Sequence, residues 1–279
     1  MAVIAMTREM GSMGKEVADR VARELGLSAV YDEIVDNLAC KMGFARTRVA
    51  RLIEGRAGRL ERWRTRGGAL NLHARADLLE VALKGNVLIR GWGATYLLRT
   101  IKHIPRIRVC APLPRRVRFV QNYLDFNDEN RVLAEIARSD CAYASSLRMS
   151  NRPNSSDPWH YDLVLDSEKN PLDYCVAEVL RLARQPEFQE TQASRTTLAN
   201  MALRTRILAT LKGAPRTASA RINAVATQGA VMLLGMVGKV DDVRAIEELV
   251  ATVPGVKTLR NELRPIHGGA HGWRSAANF

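Results

Sequence analysis

At 279 residues, with 47% hydrophobic and 25% charged content, the chain is long enough for two domains and too apolar for a disordered tract. Its net charge of +13, mostly from arginine, suits phosphate-bearing ligands, nucleic acid or an anionic membrane surface, and composition alone does not separate these. No stretch reaches the ~18–20 apolar residues of a membrane span, and the N-terminal apolar run is too short for a signal-peptide core, so a cytoplasmic protein is expected.

Residues 2–6 (AVIAM) predict a short buried strand, followed at once by Gly11-Ser12-Met13-Gly14-Lys15. Val17, Val21 and Leu25 then recur at helical spacing until Gly26 stops the helix. Strand, glycine-bearing turn and helix form the layout of a phosphate-binding loop. Helices are predicted over residues 31–42 and 45–64, the second carrying Arg46, Arg48, Arg51, Arg56, Arg59 and Arg62 around an apolar stripe. Such a helix suits a substrate phosphate, a nucleic-acid backbone or simple solvation. Aromatic content of 5% speaks against a base-stacking platform.

Gly67-Gly68 is expected as a break, with a helix over residues 70–83 and a strand over 87–89. Gly91-Trp92-Gly93 leads into a helix through Leu98. A strand over 107–111, helices over 112–123 and 130–146, a strand over 161–165 and a helix over 172–183 complete the series. Short buried strands alternating with helices predict a parallel sheet covered on both faces.

Residues 184–197 (RQPEFQETQASRTT) are polar, carry a proline and lack periodicity, which predicts a linker. Beyond it come a helix over 198–211, strands over 220–227 and 230–237 joined at Gln228-Gly229, a helix over 240–253 and a strand over 256–263. The expected division is 1–184, a linker at 185–197, a second domain over 198–265 and a loose tail over 266–279. Cys40, Cys110, Cys141 and Cys175 are spaced for neither a zinc site nor a disulfide framework and are expected as buried free thiols. The five histidines have no ligand spacing, so no metal site of the chain's own is expected.

The run Met6-Thr7-Arg8-Glu9-Met10-Gly11-Ser12-Met13-Gly14-Lys15-Glu16-Val17-Ala18, then Tyr31-Asp32-Glu33-Ile34, resembles the opening of the cytidylate kinase-like family of P-loop proteins. Residues 86–98 (NVLIRGWGATYLL), 108–112 (RVCAP) and 161–165 (YDLVL) resemble its later strands, in order, over about residues 1–183. Residues 207–263 resemble a BON domain, on Val225, Gly229, Val231, Leu233, Gly235 and Val237 and then Val253-Pro254-Gly255-Val256. Together these imply an α/β fold with a three-layer parallel sheet of nucleoside-monophosphate-kinase type, followed by a small α+β module of order αββαβ.

The resemblance implies that Gly11, Ser12, Met13, Gly14, Lys15 and Glu16 hold the phosphates of ATP together with Mg2+. It places Asp32, Arg90 and Trp92 at the acceptor and Lys15 among the catalytic cations, with Arg131, Arg138 and Arg148 as the candidates to substitute for lid arginines the chain lacks. The residues themselves also allow a plain glycine turn in which Glu16 favours the positive helix end, and Arg131 and Arg138 as a solvated helix face. Against a full Walker A loop, Glu9 stands at the first glycine and Glu16 at the hydroxyl position, a Gly-Ser-x-Gly-basic-Glu form similar to what the family itself shows. The chain departs from the family pattern in two places: Trp92 replaces an arginine between two glycines, and Asp140-Cys141-Ala142-Tyr143 stands where Asp-Arg-x-Arg is expected. A carboxylate beside a triphosphate is unfavourable unless magnesium or an arginine lies between them. The expectations are a nucleotide-binding protein of monophosphate-kinase class with weak transfer, or a silent nucleotide sensor whose BON-like module engages anionic phospholipid or a protein partner. Nucleic-acid binding rests on charge alone.

Overall fold

The computed structural model describes residues 2–30, 67–91, 93–124, 128–148 and 157–265. The two helices expected within residues 31–64, with Asp32 and the arginine-rich face, lie outside the described residues, as do Trp92 and the tail. The described chain divides into two units, Met1–Ala199 and Asn200–Phe279.

In the first unit β1 (Val3–Arg8) is followed by α1 (Gly14–Leu25), β2 (Ser28–Val30), α2 (Gly67–Lys84), β3 (Val87–Arg90) and α3 (Ala94–Leu97). Then come β4 (Arg106–Cys110), α4 (Leu113–Leu124), α5 (Glu129–Arg148), β5 (Leu163–Asp166) and α6 (Leu172–Ala183). The five strands form one parallel sheet in the order β2-β3-β1-β4-β5. This is the parallel α/β architecture expected. β1 is central because nearly every residue in it is apolar and buried, whichever face it points to. Ile4 and Met6 join Leu88, Ile107, Val109 and Leu165 under Val17, Val21, Val176 and Val179 of α1 and α6. Val3 and Ala5, alternating with them, are buried on the opposite face. There α2 meets β3 and α3 meets β1.

Two local expectations are corrected. α2 begins at Gly67, ahead of the start expected at Leu70. The stretch expected as a featureless linker holds a 3-10 turn, Pro186–Phe188, and the first turns of α7 (Gln192–Gly213). The physical reason is a reciprocal cap. Ser194 N–H donates to Thr191 Oγ1 at 3.1 Å, and Thr191 N–H donates to Ser194 Oγ at 3.0 Å. A Thr-x-x-Ser pair thus does the work of a Thr-x-x-Glu capping box.

The second unit continues from α7 into β6 (Arg221–Thr227), β7 (Ala230–Val237), α8 (Val240–Ala251) and β8 (Thr258–Pro265), which is the αββαβ order expected. β7 is central, antiparallel to β6 and parallel to β8. Leu203, Ile207 and Leu211 of α7 and Ile246 and Val250 of α8 cover Ala224, Ala226, Val231, Leu233 and Leu263. Gly235 has φ +142, and a Cβ there would lie 2.2 Å from the Arg221 carbonyl oxygen, so the close strand approach requires glycine.

One buried polar group gives the first unit a pH dependence. His103 is 3% exposed, and its Nδ1 has no hydrogen-bond partner among the described residues. Burial, the largest influence, lowers its pKa, while Glu190 opposes that and Arg195 adds to it. The folded state therefore holds imidazole neutral, and the unfolded state binds the proton more readily. This contribution to stability is present above the ordinary histidine pKa of about 6.5 and is lost as pH falls below it. The thermal midpoint is expected to fall between pH 7 and pH 5, and to fall less in His103→Leu, as differential scanning calorimetry of both proteins across that range would record.

Candidate functional site

The C-terminal ends of β1, β3, β4 and β5 lie along one edge of the sheet, and the loop from Glu9 to Met13 crosses that edge before α1 begins. Two backbone features shape the loop. Gly11 has φ +81, and a Cβ on it would sit 2.6 Å from the carbonyl oxygen of Arg116 in α4. Met13, at φ 55, holds the left-handed region despite its side chain and turns the chain into α1. The first α1 donor to find a helical acceptor is Val17 N–H, at 3.1 Å from the Met13 carbonyl. The amides of Gly14, Lys15 and Glu16 ahead of it therefore form the positive end of a twelve-residue helix.

Ser12 is turned inward rather than toward this opening. It is 1% exposed, and its hydroxyl donates toward the carbonyls of Glu9 at 2.8 Å and Val109 at 3.0 Å, tying the loop to β4. Lys15 is exposed on the first turn of α1, with no hydrogen bond or ion pair among the described residues. Glu16 is half-buried beside it and is the acidic residue of that turn.

Glu9 does not point a bare carboxylate at the loop. Its Oε1 accepts from Arg108 at 2.6 Å, its Oε2 accepts from Ala111 N–H at 3.2 Å, and Arg116 stands 3.8 Å from Oε2. Arginines thus flank the acid placed at the first glycine position. Burial is the largest influence and works against the Arg108 charge, but the Glu9 hydrogen bond and charge, with smaller help from Tyr161 and Cys110, together outweigh it and the pKa is raised. The Tyr161 ring lies 5.7 Å from the Arg108 guanidinium. Burial pushes the Cys110 thiol up, with Glu9 adding to the effect, so that group stays protonated.

Arg116 binds on three sides. Its Nε donates to the Met10 carbonyl at 2.7 Å, and its two terminal nitrogens donate to Asp140 of α5 at 3.0 and 2.7 Å. Its side chain is 6% exposed. Val117 and Val120 of α4 pack with Val132 and Ile136 of α5 beneath this pair, with Met10 of the loop against them.

The remaining expected site residues are distributed as follows. Arg90, at the end of β3, reaches Asp19 of α1 at 3.5 Å, on the side of the sheet that α1 covers. Arg131 and Arg138 lie on the solvated face of α5, 74% and 62% exposed, beside Asp128 just ahead of the helix and Glu135 within it. Asp140 of α5 is turned toward the loop, where it holds Arg116. Of the thiols expected to be buried, Cys175 is, Cys110 is half-buried and Cys141 is exposed. Exposure of Cys141 follows from its place on the helix face that α4 does not cover. Arg108, Arg116 and the partnering of Asp140 were missed in the sequence. The available signal was an arginine on the first turn of a helix just after a strand, at the sheet edge where the loop also lies. No group of three or more His, Cys, Asp or Glu able to hold a metal occurs among the described residues.

The cytidylate kinase-like family matches residues 3–169, and the BON domain matches residues 201–264. Among curated proteins none matches the chain. An uncharacterised protein from Eubacterium ventriosum is 16% identical with a TM-score of 0.50, over 66% of this chain and 98% of that one. Shikimate kinase from Bacteroides thetaiotaomicron is 14% identical with a TM-score of 0.41, over 66% of this chain and 99% of its own. Identities this low concern the fold alone.

The tight seat of Gly11 gives a direct test. Gly11→Ala imposes a left-handed alanine and a clash with the Arg116 backbone, and is expected to cost about 2 kcal/mol. Urea unfolding followed by circular dichroism would register the loss as a lower midpoint.

Proposed function

Since the chain belongs to the cytidylate kinase-like family, we propose that it binds ATP with magnesium at the loop Gly11–Glu16. By class it is a nucleoside monophosphate kinase, with a pyrimidine monophosphate as acceptor and slow phosphoryl transfer. The observation that carries this reading is the contrast among the cations at the loop. Arg108 and Arg116 are engaged by Glu9 and Asp140, while Lys15 stands exposed beside the positive end of α1, unengaged among the described residues. An anion arriving there meets backbone donors and the Lys15 ammonium, which is what a β- or γ-phosphate requires.

The residues fit the donor and its ion. Lys15 would meet the phosphates, and the narrow turn at Gly11 lets backbone approach them. Glu16, at the position of the usual hydroxyl, is a carboxylate available to magnesium, whose remaining ligands would be phosphate oxygens and water. When bound, the ion neutralises charge on the transferred group. Lys15 orients that group, and the α1 amides hold the phosphates in place. Lys15→Ala is expected to abolish binding of ATP–magnesium with an unchanged circular dichroism spectrum. Equal affinity in mutant and parent by titration calorimetry would refute this role.

Slow transfer follows from what surrounds the acceptor. Phosphoryl transfer is mainly positioning and charge stabilisation, and loss of one such arginine costs ~10³-fold or more. Here Trp92, Cys141 and Tyr143 stand where arginines are expected, and Arg131 and Arg138 sit beside Asp128 and Glu135 on a solvated face. A second reading, a silent nucleotide sensor acting through its BON domain, is favoured by the outer face of the C-terminal sheet. Val225 and Met236 are 42% and 55% exposed there, with Arg221, Arg260 and Arg264 on the flanking strands. A face of that kind suits anionic phospholipid or a protein partner. Coupled-enzyme assays with each monophosphate separate the two readings. Turnover well below ordinary kinases is expected, rising when arginine is installed at Trp92, Cys141 and Tyr143 together. No gain in that triple variant favours the sensor, and brisk turnover by the parent refutes slow transfer.

A further inference from the structure

Arg116 stands at a junction that the nucleotide reading does not require. Its Nε holds the Met10 carbonyl, its terminal nitrogens hold both oxygens of Asp140, and its own backbone closes against Gly11. Glu9, the residue before Met10, lies 3.8 Å from the same guanidinium. One buried residue thus meets three consecutive loop residues, Glu9 and Met10 through its side chain and Gly11 through its backbone, and the side chain's orientation is in turn fixed from α5. A guanidinium is planar, and a carboxylate that binds it at both terminal nitrogens sets the plane as well as the position. Rotation of that plane would carry Nε away from the Met10 carbonyl. Asp140 immediately precedes Cys141, in the stretch that takes the place of the expected lid arginines, so movement of α5 at that point reaches the loop through Arg116, alongside the apolar packing of Met10 against the cluster that includes Val132 and Ile136.

We propose that Arg116 is a positioning residue for the phosphate loop, and that Asp140, through it, couples the state of α5 to the loop's readiness for phosphate. The proposal rests on the nucleotide reading for its consequence in binding, but not for its effect on the loop itself. Coupling of this kind is reciprocal: whatever draws α5 into place tightens the loop, and a bound phosphate steadies α5.

Hydrogen exchange of the free protein tests the loop, and calorimetry with ATP–magnesium tests the consequence. In Asp140→Asn the amides of residues 10–16 are expected to exchange about tenfold faster, the size of one lost charged hydrogen bond. Exchange in β6 and β7 should stay as in the parent, and ATP–magnesium affinity should fall by a similar factor. Arg116→Lys keeps the charge but cannot hold the carbonyl and both carboxylate oxygens at once, so it should show the same local pattern. If Arg116→Lys fails to fold, Asp140→Asn decides the matter, because Asp140 is 45% exposed and its loss leaves the core intact. Loop exchange equal to the parent's in Asp140→Asn overturns the proposal. So does a rise spread evenly over the whole first unit, which would mark a merely structural pair. A parent that does not bind ATP–magnesium refutes the nucleotide reading, while exchange in the free protein still decides the coupling.

Discussion

The carboxylate of Glu9 sets the terms for everything around it. It sits where β1 gives way to the loop, 24% exposed, in surroundings too dry to leave a charge alone. Arg108 from the next strand, the Ala111 amide and Arg116 from the following helix each satisfy part of it. Each of those groups is thereby committed. Arg108 is drawn toward β1, α4 is anchored with its backbone on Gly11, and the remaining hydrogen-bonding capacity of Arg116 turns to Asp140 and Met10. Removing one partner of such a set leaves the others charged and half-buried, which costs more than the bond itself contributed.

The arginine excess also looks different once the partners are known. Arg106 binds Asp162 through its main-chain and side-chain nitrogens, Arg20 reaches Asp173, and Arg204 donates to the Ala224 carbonyl. These arginines act within the fold, clamping strand ends and helix faces. A net charge of +13 in the sequence does not by itself describe a surface waiting for nucleic acid.

How much of this was legible depended on whether the signal was periodic. Val17, Val21 and Leu25 repeat at helical spacing, and the apolar run of β1 announces a buried strand, so α1, β1 and the parallel sheet could be read directly. The hairpin at Gln228-Gly229 and the order of the second unit were equally open, because alternation and turn residues coincide there. β2 was not, since Ser28–Val30 is three residues long and only Val30 is buried. The start of α7 was hidden by a cap that uses serine where glutamate is the familiar sign. At the site, the glycine loop and Lys15 stood out by composition. Arg116 did not, because its partners Met10 and Asp140 lie far away along the chain and ion pairs leave no period. Arg131 and Arg138 drew attention by residue type, and the helix phase that turns Asp140 inward turns them outward.

The central position of β1 also bears on how the first unit comes together. Val3 pairs with Val87 and Ala5 with Arg106, so neither edge of β1 has a partner until much of the unit has been made. With synthesis at roughly 5–20 residues per second, this six-residue, mostly apolar strand waits on the order of ten seconds with both edges open. Strands in that condition are the ones that pair with the wrong neighbour. The same residues that make β1 the best-protected segment of the finished sheet make it the most exposed one during assembly. Folding of this chain in the cell is thus a race between the arrival of β3 and β4 and aggregation through β1, in which a chaperone holding that one short segment has the most to contribute.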